Sequence, residues 1–458
     1  MTGPTLFGDA VRVAVRPSQS FYVHGWHSWC TTGWVDVEAT PHVIEDRVRR
    51  LGHADPVHAF DTVLGGSGLG MVDHGDGEVT LLGALGLEAW VHLDGDALVG
   101  SAPTPVPWFT ATGPETEVLA AYTERLGKTS GRRGGSPPRV WCSWYTFYED
   151  VDEATFHQVI EDLGDLPFDV VQIDDGWQQA VGDWFPNEDF PSGMTDLADR
   201  IRATGRTPGL WISPFVASAS SAIVRDHSDL FLRDDDGALV VAGEFWGGPY
   251  HPLDLSNPTA LDAMAEMIER AVAWGYDYLK LDFLYGAAFP GRQHVPIGRE
   301  AAYRAGVERI RHVVGEERYL LACGAPVIAS IGPFDGLRVG PDVAEYWYRA
   351  DAQAGARNAI ATSAQRLWLE DVVDIDPDVV FFRRRQLELD DRARRLLLDL
   401  ASITRFRGVS DPPGWLDADD RADLHSFLTN EPQVAQVDRH RWSVDGRVVD
   451  FDLSEVPS

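Results

Sequence analysis

The sequence predicts an α/β chain whose main body is a (β/α)8 barrel, and three observations carry that reading. After Pro138, short apolar runs alternate with stretches of helical period, the pattern of repeated βα units. Eight such runs fall between residues 139 and 410, and eight strands with their helices make a barrel of roughly 250 residues. Nearly every run also ends on polar or aromatic side chains, and a barrel keeps its functional groups at the C-terminal ends of its strands. A doubly wound sheet also fits the alternation, but it gives no reason for so many polar strand ends.

Residues 1–126 are β-rich: alternating runs such as 11–15, 79–82 and 89–93 are separated by Gly, Asp and Pro clusters, with little helical period before Glu115. Within them, GWHSWCTTGW (25–34) sets three tryptophans among small polar residues, as either core rings or a loop presenting flat faces to a carbohydrate. GKTSGRRGGSPP (127–138) has linker composition. The predicted barrel strands are 139–145, 168–175, 207–215, 276–283, 319–324, 337–340, 367–371 and 404–410. Helical patterns at 152–163, 196–204, 259–274, 299–314, 356–365 and 387–401 lie between most of them. Residues 432–458 hold two or three short alternating runs. The expected division is 1–130, a β domain; 131–428, the barrel; and 429–458, a small β region.

Composition narrows the partners. The chain has 458 residues and a formal net charge of −32, which repels nucleic acid and anionic membranes but not a neutral sugar. Three cysteines make no disulfide framework, the N-terminus shows no basic and apolar leader, and no apolar run approaches the ~20 residues of a spanning helix. A cytoplasmic protein is expected; a homo-oligomer stays open.

Of the 39 basic residues only Lys128 and Lys280 are lysines. Lys280 lies in the fourth run, YDYLKLDF (276–283), on the same face of the pleat as Asp282. A compact ammonium is not interchangeable with a guanidinium, and its nearness is expected to hold Asp282 ionised. The first run ends in WCSWY, with Trp144 and Tyr145. The second ends in QIDDGWQ, where adjacent Asp174 and Asp175 repel unless they face different partners. They form either a turn closing a strand or acceptors for sugar hydroxyls, and Trp177 favours the ligand site. Trp211 in GLWISPF is a stacking ring or a core residue. Cys323 and Gly324 in ACGAP are small enough for close approach of a ligand, and LRVGPD places Arg338 four residues before Asp342 as an ion pair or as a tuner of an acid. Asp376 and Asp378 around Pro377 read as loop or structure.

No HExxH, Cys/His ligand spacing, phosphate-cradling GxxxxGK[ST] or serine elbow is present, so no metal, nucleotide or other cofactor is expected. What remains is two carboxylates at different strand ends, Asp282 and Asp342, among aromatics and hydroxyl-binding groups. That is the equipment for glycoside hydrolysis through an oxocarbenium-like transition state.

Taken in order, WCSWY, QIDD, GLWISPF, YLKLDF, ACGAP, DGLRVGPD and IDPDVVFFR, with GWHSW before them, resemble glycoside hydrolase family 36, the α-galactosidase and raffinose-synthase-like family. The resemblance covers residues 139–383. It implies a (β/α)8 barrel between an N-terminal β-sandwich and a small C-terminal β domain. It implies Asp282 as nucleophile and Asp342 as general acid/base, with Arg338 nearby and pointing mainly at the sugar. It further implies Asp174 and Asp175 as a clamp on the galactose O4 and O6, Lys280 on a ring hydroxyl, Tyr145, Trp211 and Cys323 lining the pocket, and Trp29 as a ring lent by the N-terminal domain.

Departures are HSW where many relatives have QSW, IDPD where many have NDPD, and two shortened β regions. The expected activity is a retaining, exo-acting α-galactosidase acting on a neutral galactoside or oligosaccharide. The alternatives are an α-galactosyl transglycosylase, an α-N-acetylgalactosaminidase and, from another class, a non-catalytic carbohydrate-binding protein.

Overall fold

The computed structural model describes residues 5–453. Its central sheet is parallel throughout, and its strands follow chain order: β1 (Arg139–Cys142), β2 (Val170–Ile173), β3 (Thr207–Ile212), β4 (Tyr278–Leu281), β5 (Tyr319–Ala322), β6 (Gly336–Arg338), β7 (Asp374–Asp376) and β8 (Arg407–Val409). β8 pairs back onto β1. At the other end β7 pairs with β6, and beyond Pro377 the same stretch of chain continues as Val379–Val380, paired with β8. The two ends of the sheet are therefore two pieces of one interrupted strand, and the sheet closes into an α/β barrel.

The local reasons are ordinary ones. VVQI of β2 and YLKL of β4 are buried along their whole length, as strands covered on both faces must be. The helix Pro258–Ala273 starts where Asn257 accepts from the Thr259 N–H and Pro258 fills the first turn, and it buries Met264, Ile268 and Ala271. Asp390 caps Asp391–Thr404 in the same way.

The predicted seventh strand is corrected by the structure: Leu367–Asp371 is a 3-10 helix and β7 lies three residues later. Leu367 and Leu369 alternate as a strand would, but they pack into the core beside the helix Glu115–Ser130. The true strand contains two aspartates, which strand propensity disfavours. Arg338 holds Asp376 at 3.0 Å, and the Gly135 amide and Tyr319 hydroxyl hold Asp374 at 2.5 and 3.1 Å. The helix Glu115–Ser130 also runs into the expected linker, which is left with residues 131–138. β1 stops at Cys142, before a short helix at Trp144–Phe147.

Ahead of the barrel lies an eight-stranded antiparallel sheet. Its longest strand, Ala97–Gly113, pairs with Thr5–Ala14 and is shared between Trp90–Asp94 and Val79–Ala84. Phe21, Val72, Leu82, Val91 and Trp108 form a core within it. One barrel residue ties this sheet down. Arg366 is fully buried, and its guanidinium donates to the carbonyls of Gly25, His27, Ser28 and Cys30 and, on the barrel side, of Val339. Three antiparallel strands, Val434–Gln436, Arg441–Val444 and Arg447–Asp450, follow the barrel. Among the described residues no helix is long and apolar enough to cross a membrane.

Candidate active site

A cavity of about 330 Å³ opens at the C-terminal ends of the barrel strands, and Asp174, Asp175, Asp282 and Asp342 all line it. Lys280, Trp211 and, from the N-terminal sheet, Trp29 complete its polar and aromatic walls.

Asp282 follows β4 directly, its amide donating to the Ile212 carbonyl at 2.9 Å. Its carboxylate accepts from the Trp211 indole at 3.0 Å and from the Phe283 amide at 2.7 Å. Phe283 has φ 52°, a left-handed conformation unusual for a bulky residue. The turn aims its own N–H at Asp282 and sets its ring among Trp29, Trp246 and Tyr250.

The Asp174–Asp175 pair divides its partners. Asp174 accepts from Lys280 at 2.8 Å and from Gln172 at 2.6 Å. Asp175 accepts from Gln178 at 2.5 Å and from the Trp246 indole at 2.7 Å. Burial pushes the Asp175 carboxyl up to about 7, against the pull of those two donors. Burial alone would lower Lys280, but the charge of Asp174 lifts it well above the usual lysine range. The cation expected to hold Asp282 ionised is thereby corrected: Lys280 forms its ion pair with Asp174, two strands away round the barrel.

Asp342 stands in the loop after β6, among charges. Arg338 reaches it at 3.2 Å, but the same guanidinium also binds Asp376 and Asp378, each at 3.0 Å. Burial, and then the negative charge of Asp378, push the Asp342 carboxyl up to about 7, with Arg338 pulling the other way.

Trp29 reaches the cavity because its loop is clamped. Arg366 holds the carbonyls on either side of it, and the His27 ring, stacked 4.7 Å from Tyr285, accepts the Trp29 backbone N–H at 3.2 Å. Gly324 makes room: a Cβ there would meet the Trp29 ring at 3.2 Å, and its φ of 53° is left-handed. The close approach expected at Gly324 is therefore made by Trp29. The Trp29 indole N–H is buried and has no partner.

Other expectations are corrected. Trp26 donates to Glu300 beneath Arg299, and Trp34 lies under Arg439, so Trp29 is the cavity ring of the three. Trp177 is fully buried, bonded to the Trp211 carbonyl and packed on Trp184 and Trp274, a core residue. Tyr145, Cys323 and Arg338 stand behind the cavity wall. The Tyr145 hydroxyl is bonded to Asp378, Cys323 is completely covered, and two carboxylates on the β7 side hold the Arg338 guanidinium that was expected to face the sugar. Asp376 and Asp378 belong to this charge network, not to a plain loop.

Sequence reading missed the rim. The helix Arg47–His53 brings Val48, Arg49, Gly52 and His53 to the cavity, and the hairpin Gly243–Phe245/Gly248–Pro252 brings Glu244, Phe245 and Tyr250. An ion pair from Arg47 to Glu244 at 2.7 Å joins these two elements. The signal for the hairpin was present in EFWGGPY, adjacent glycines between aromatics, and the two-residue turn is Trp246–Gly247. Among the described residues no group of three or more His, Cys, Asp or Glu side chains is arranged to hold a metal ion.

Comparison with known proteins agrees with this geometry. Residues 122–310 match the Melibiase family profile. The α-galactosidase TtGalA of Thermus thermophilus, solved with p-nitrophenyl α-D-galactopyranoside, is 43% identical over 98% of this chain and 94% of its own, with a TM-score of 0.94. Its structure with stachyose is 44% identical over 93% of this chain and 94% of its own, with a TM-score of 0.89. The family 36 α-galactosidase AgaA of Geobacillus stearothermophilus shares the fold at 16% identity, a TM-score of 0.64 and coverage of 92% and 61%. Among curated proteins, α-galactosidase 2 of Pediococcus pentosaceus is 27% identical over 172 residues, 36% of this chain and only 23% of that protein. With near-complete coverage at 43% identity by an α-galactosidase and the profile match within it, the chain belongs to the α-galactosidase-like glycoside hydrolase family 36.

Proposed function

We propose that the chain is a retaining, exo-acting α-galactosidase. One observation carries the reading: Asp282 and Asp342 line one cavity in opposite electrostatic settings, neutral donors around one and a raised proton affinity at the other. A cavity of about 330 Å³ lies at the small end of ligand pockets and suits one terminal sugar unit.

In this reading the galactosyl O4 and O6 hydroxyls donate to Asp174 and Asp175, and Lys280 donates to a ring hydroxyl. Trp211 and Trp29 supply apolar faces. Asp282 attacks the anomeric carbon while Asp342 gives its proton to the leaving oxygen. Asp342, now a carboxylate, takes a proton from water, and that water displaces Asp282 from the same face the leaving group left. Two inversions give net retention. Tyr145, Cys323 and Arg338 act one layer back, shaping the wall and the charge around Asp342.

The architecture we attach to this is a sandwich at 1–130, supported by the long strand shared between neighbours, a barrel at 131–428 and a β appendage at 429–458. A cytoplasmic location is supported by three buried free thiols.

The test is hydrolysis of p-nitrophenyl α-D-galactopyranoside, with NMR of the first-formed sugar. Release of α-galactose, with little or no activity on the β-anomer or on the α-N-acetylgalactosaminide, is expected. Release of β-galactose, or inertness toward every α-galactoside, contradicts the proposal.

A further inference from the structure

Asp378 is not a substrate contact, yet the structure treats it as a fixed point. It is fully buried at the seam where the barrel closes, between the two halves of the interrupted seventh strand. Its φ is 81°, a left-handed backbone that strains any side chain and that persists where its surroundings impose it. Its carboxylate accepts from the Tyr145 hydroxyl, from the Val343 amide at 2.9 Å and from the Val379 amide at 2.8 Å, and it pairs with Arg338 at 3.0 Å. Amides and guanidinium only donate, so this setting favours the ionised form. Burial acts against it and raises Asp378 above the usual carboxylate range.

The Val343 amide is the next in the chain after Asp342, so Asp378 fixes the backbone of the acid. It also fixes the cation beside it. Alone, Arg338 at 3.2 Å would hold Asp342 ionised, the wrong state for a proton donor. Asp376 and Asp378 both pair with that guanidinium, leaving two carboxylates against one cation. Lys280, itself paired with Asp174, and Asp282 also act on Asp342, and Arg49, His53 and Glu244 line the same cavity. The Tyr145 hydroxyl and the Cys323 thiol close the cluster, both kept neutral by burial.

We propose that Asp378 is a positioning residue for the proton donor: from the barrel seam it anchors Arg338 and the Val343 amide, so that Asp342 faces a net-negative cluster and keeps its proton. This rests on the reading of Asp342 as the acid/base. Asp378→Asn keeps an acceptor for the two amides and removes the charge.

The experiment measures kcat/KM against pH for an alkyl α-galactoside, whose leaving group needs a proton, and for a dinitrophenyl α-galactoside, whose leaving group does not. Alongside it, 13C NMR follows the Asp342 carboxyl, assigned with Asp342→Asn. In Asp378→Asn the alkaline limb and the 13C titration of Asp342 both move to lower pH by about one unit or more. At pH 7 the alkyl substrate slows by roughly fivefold, as one such unit takes the protonated fraction of Asp342 from about a half to about a tenth, and the dinitrophenyl substrate changes little. Asp378→Glu, which restores the charge, brings the limb back. Equal losses on both substrates with limb and titration unmoved overturn the proposal. If the native protein cleaves no α-galactoside, the enzymatic reading falls and the 13C titration alone decides Asp378. If Asp378→Asn does not fold, the native titration decides: Asp378 must ionise at lower pH than Asp342, and the reverse order overturns the idea.

Discussion

Asp282 and Asp342 face the same cavity, but the two sides of it are built differently. Asp282 ends a buried strand, and the groups that bond it are neutral, an indole and an amide. Asp342 stands in a loop, with Arg338 beside it and the β7 carboxylates behind, and its carboxyl is pushed up to about 7. One residue type thus meets two environments: rigid neutral donors suit a carboxylate that must attack, and crowded negative charge suits an acid that must first hold a proton. The lesson is that the roles are set by the neighbours on the adjoining strands and turns, not by the aspartates themselves.

The comparison breaks most severely when one side is deleted. Asp282→Gly removes the nucleophile, and turnover should fall by roughly 10⁴-fold or more. Azide should then restore reaction with inversion, giving the β-galactosyl azide by product NMR. Asp342→Gly should cost about 10²–10⁴-fold on alkyl galactosides, with activity kept on activated aryl galactosides and α-azide as the rescued product. Exchange of the two azide configurations between the variants reverses the role assignment.

Smaller changes separate holding a group from being one. Arg366→Leu leaves buried carbonyls of the Gly25–Cys30 loop unpaired and should destabilise the protein by about 3 kcal/mol or more, read as a lower Tm. Trp29→Ala should leave folding nearly intact and weaken substrate binding by about 1–3 kcal/mol, read in KM. An unchanged KM in folded Trp29→Ala places that ring outside the sugar pocket.

This contrast also explains what the sequence allowed to be read. β2 and β4 are visible because three of the four residues in each are apolar and buried, and Asp174, Asp175 and Asp282 follow directly from where those strands end. β7 was missed because Asp374 and Asp376 break the apolar pattern; their charges are compensated by Arg338 and by groups remote in sequence. Such local rule-breaking is expected where function is built. Trp29 was one of three equivalent tryptophans until the Arg366 clamp distinguished it. The rim helix Arg47–His53 buries none of its own residues fully and so left no periodic stripe to detect.

A last effect is on stability. The folded-state pKa of Asp342 is raised from 3.8 to about 7, so its folded form binds the extra proton across that window and native stability is lost as pH rises through it. Asp342→Asn has no charge to bury. Its Tm advantage over the native protein should grow from about pH 4 to about pH 7 and then level off; a constant difference would show that Asp342 titrates normally.

The central claim is that Asp282 forms the covalent bond and Asp342 does not. The direct test is to trap the glycosyl-enzyme with 5-fluoro-α-D-galactopyranosyl fluoride, digest it, and locate the added mass by tandem mass spectrometry. The account predicts one labelled peptide, carrying the fluorogalactosyl ester on Asp282. A label on Asp342, or on Asp174 or Asp175, would contradict it.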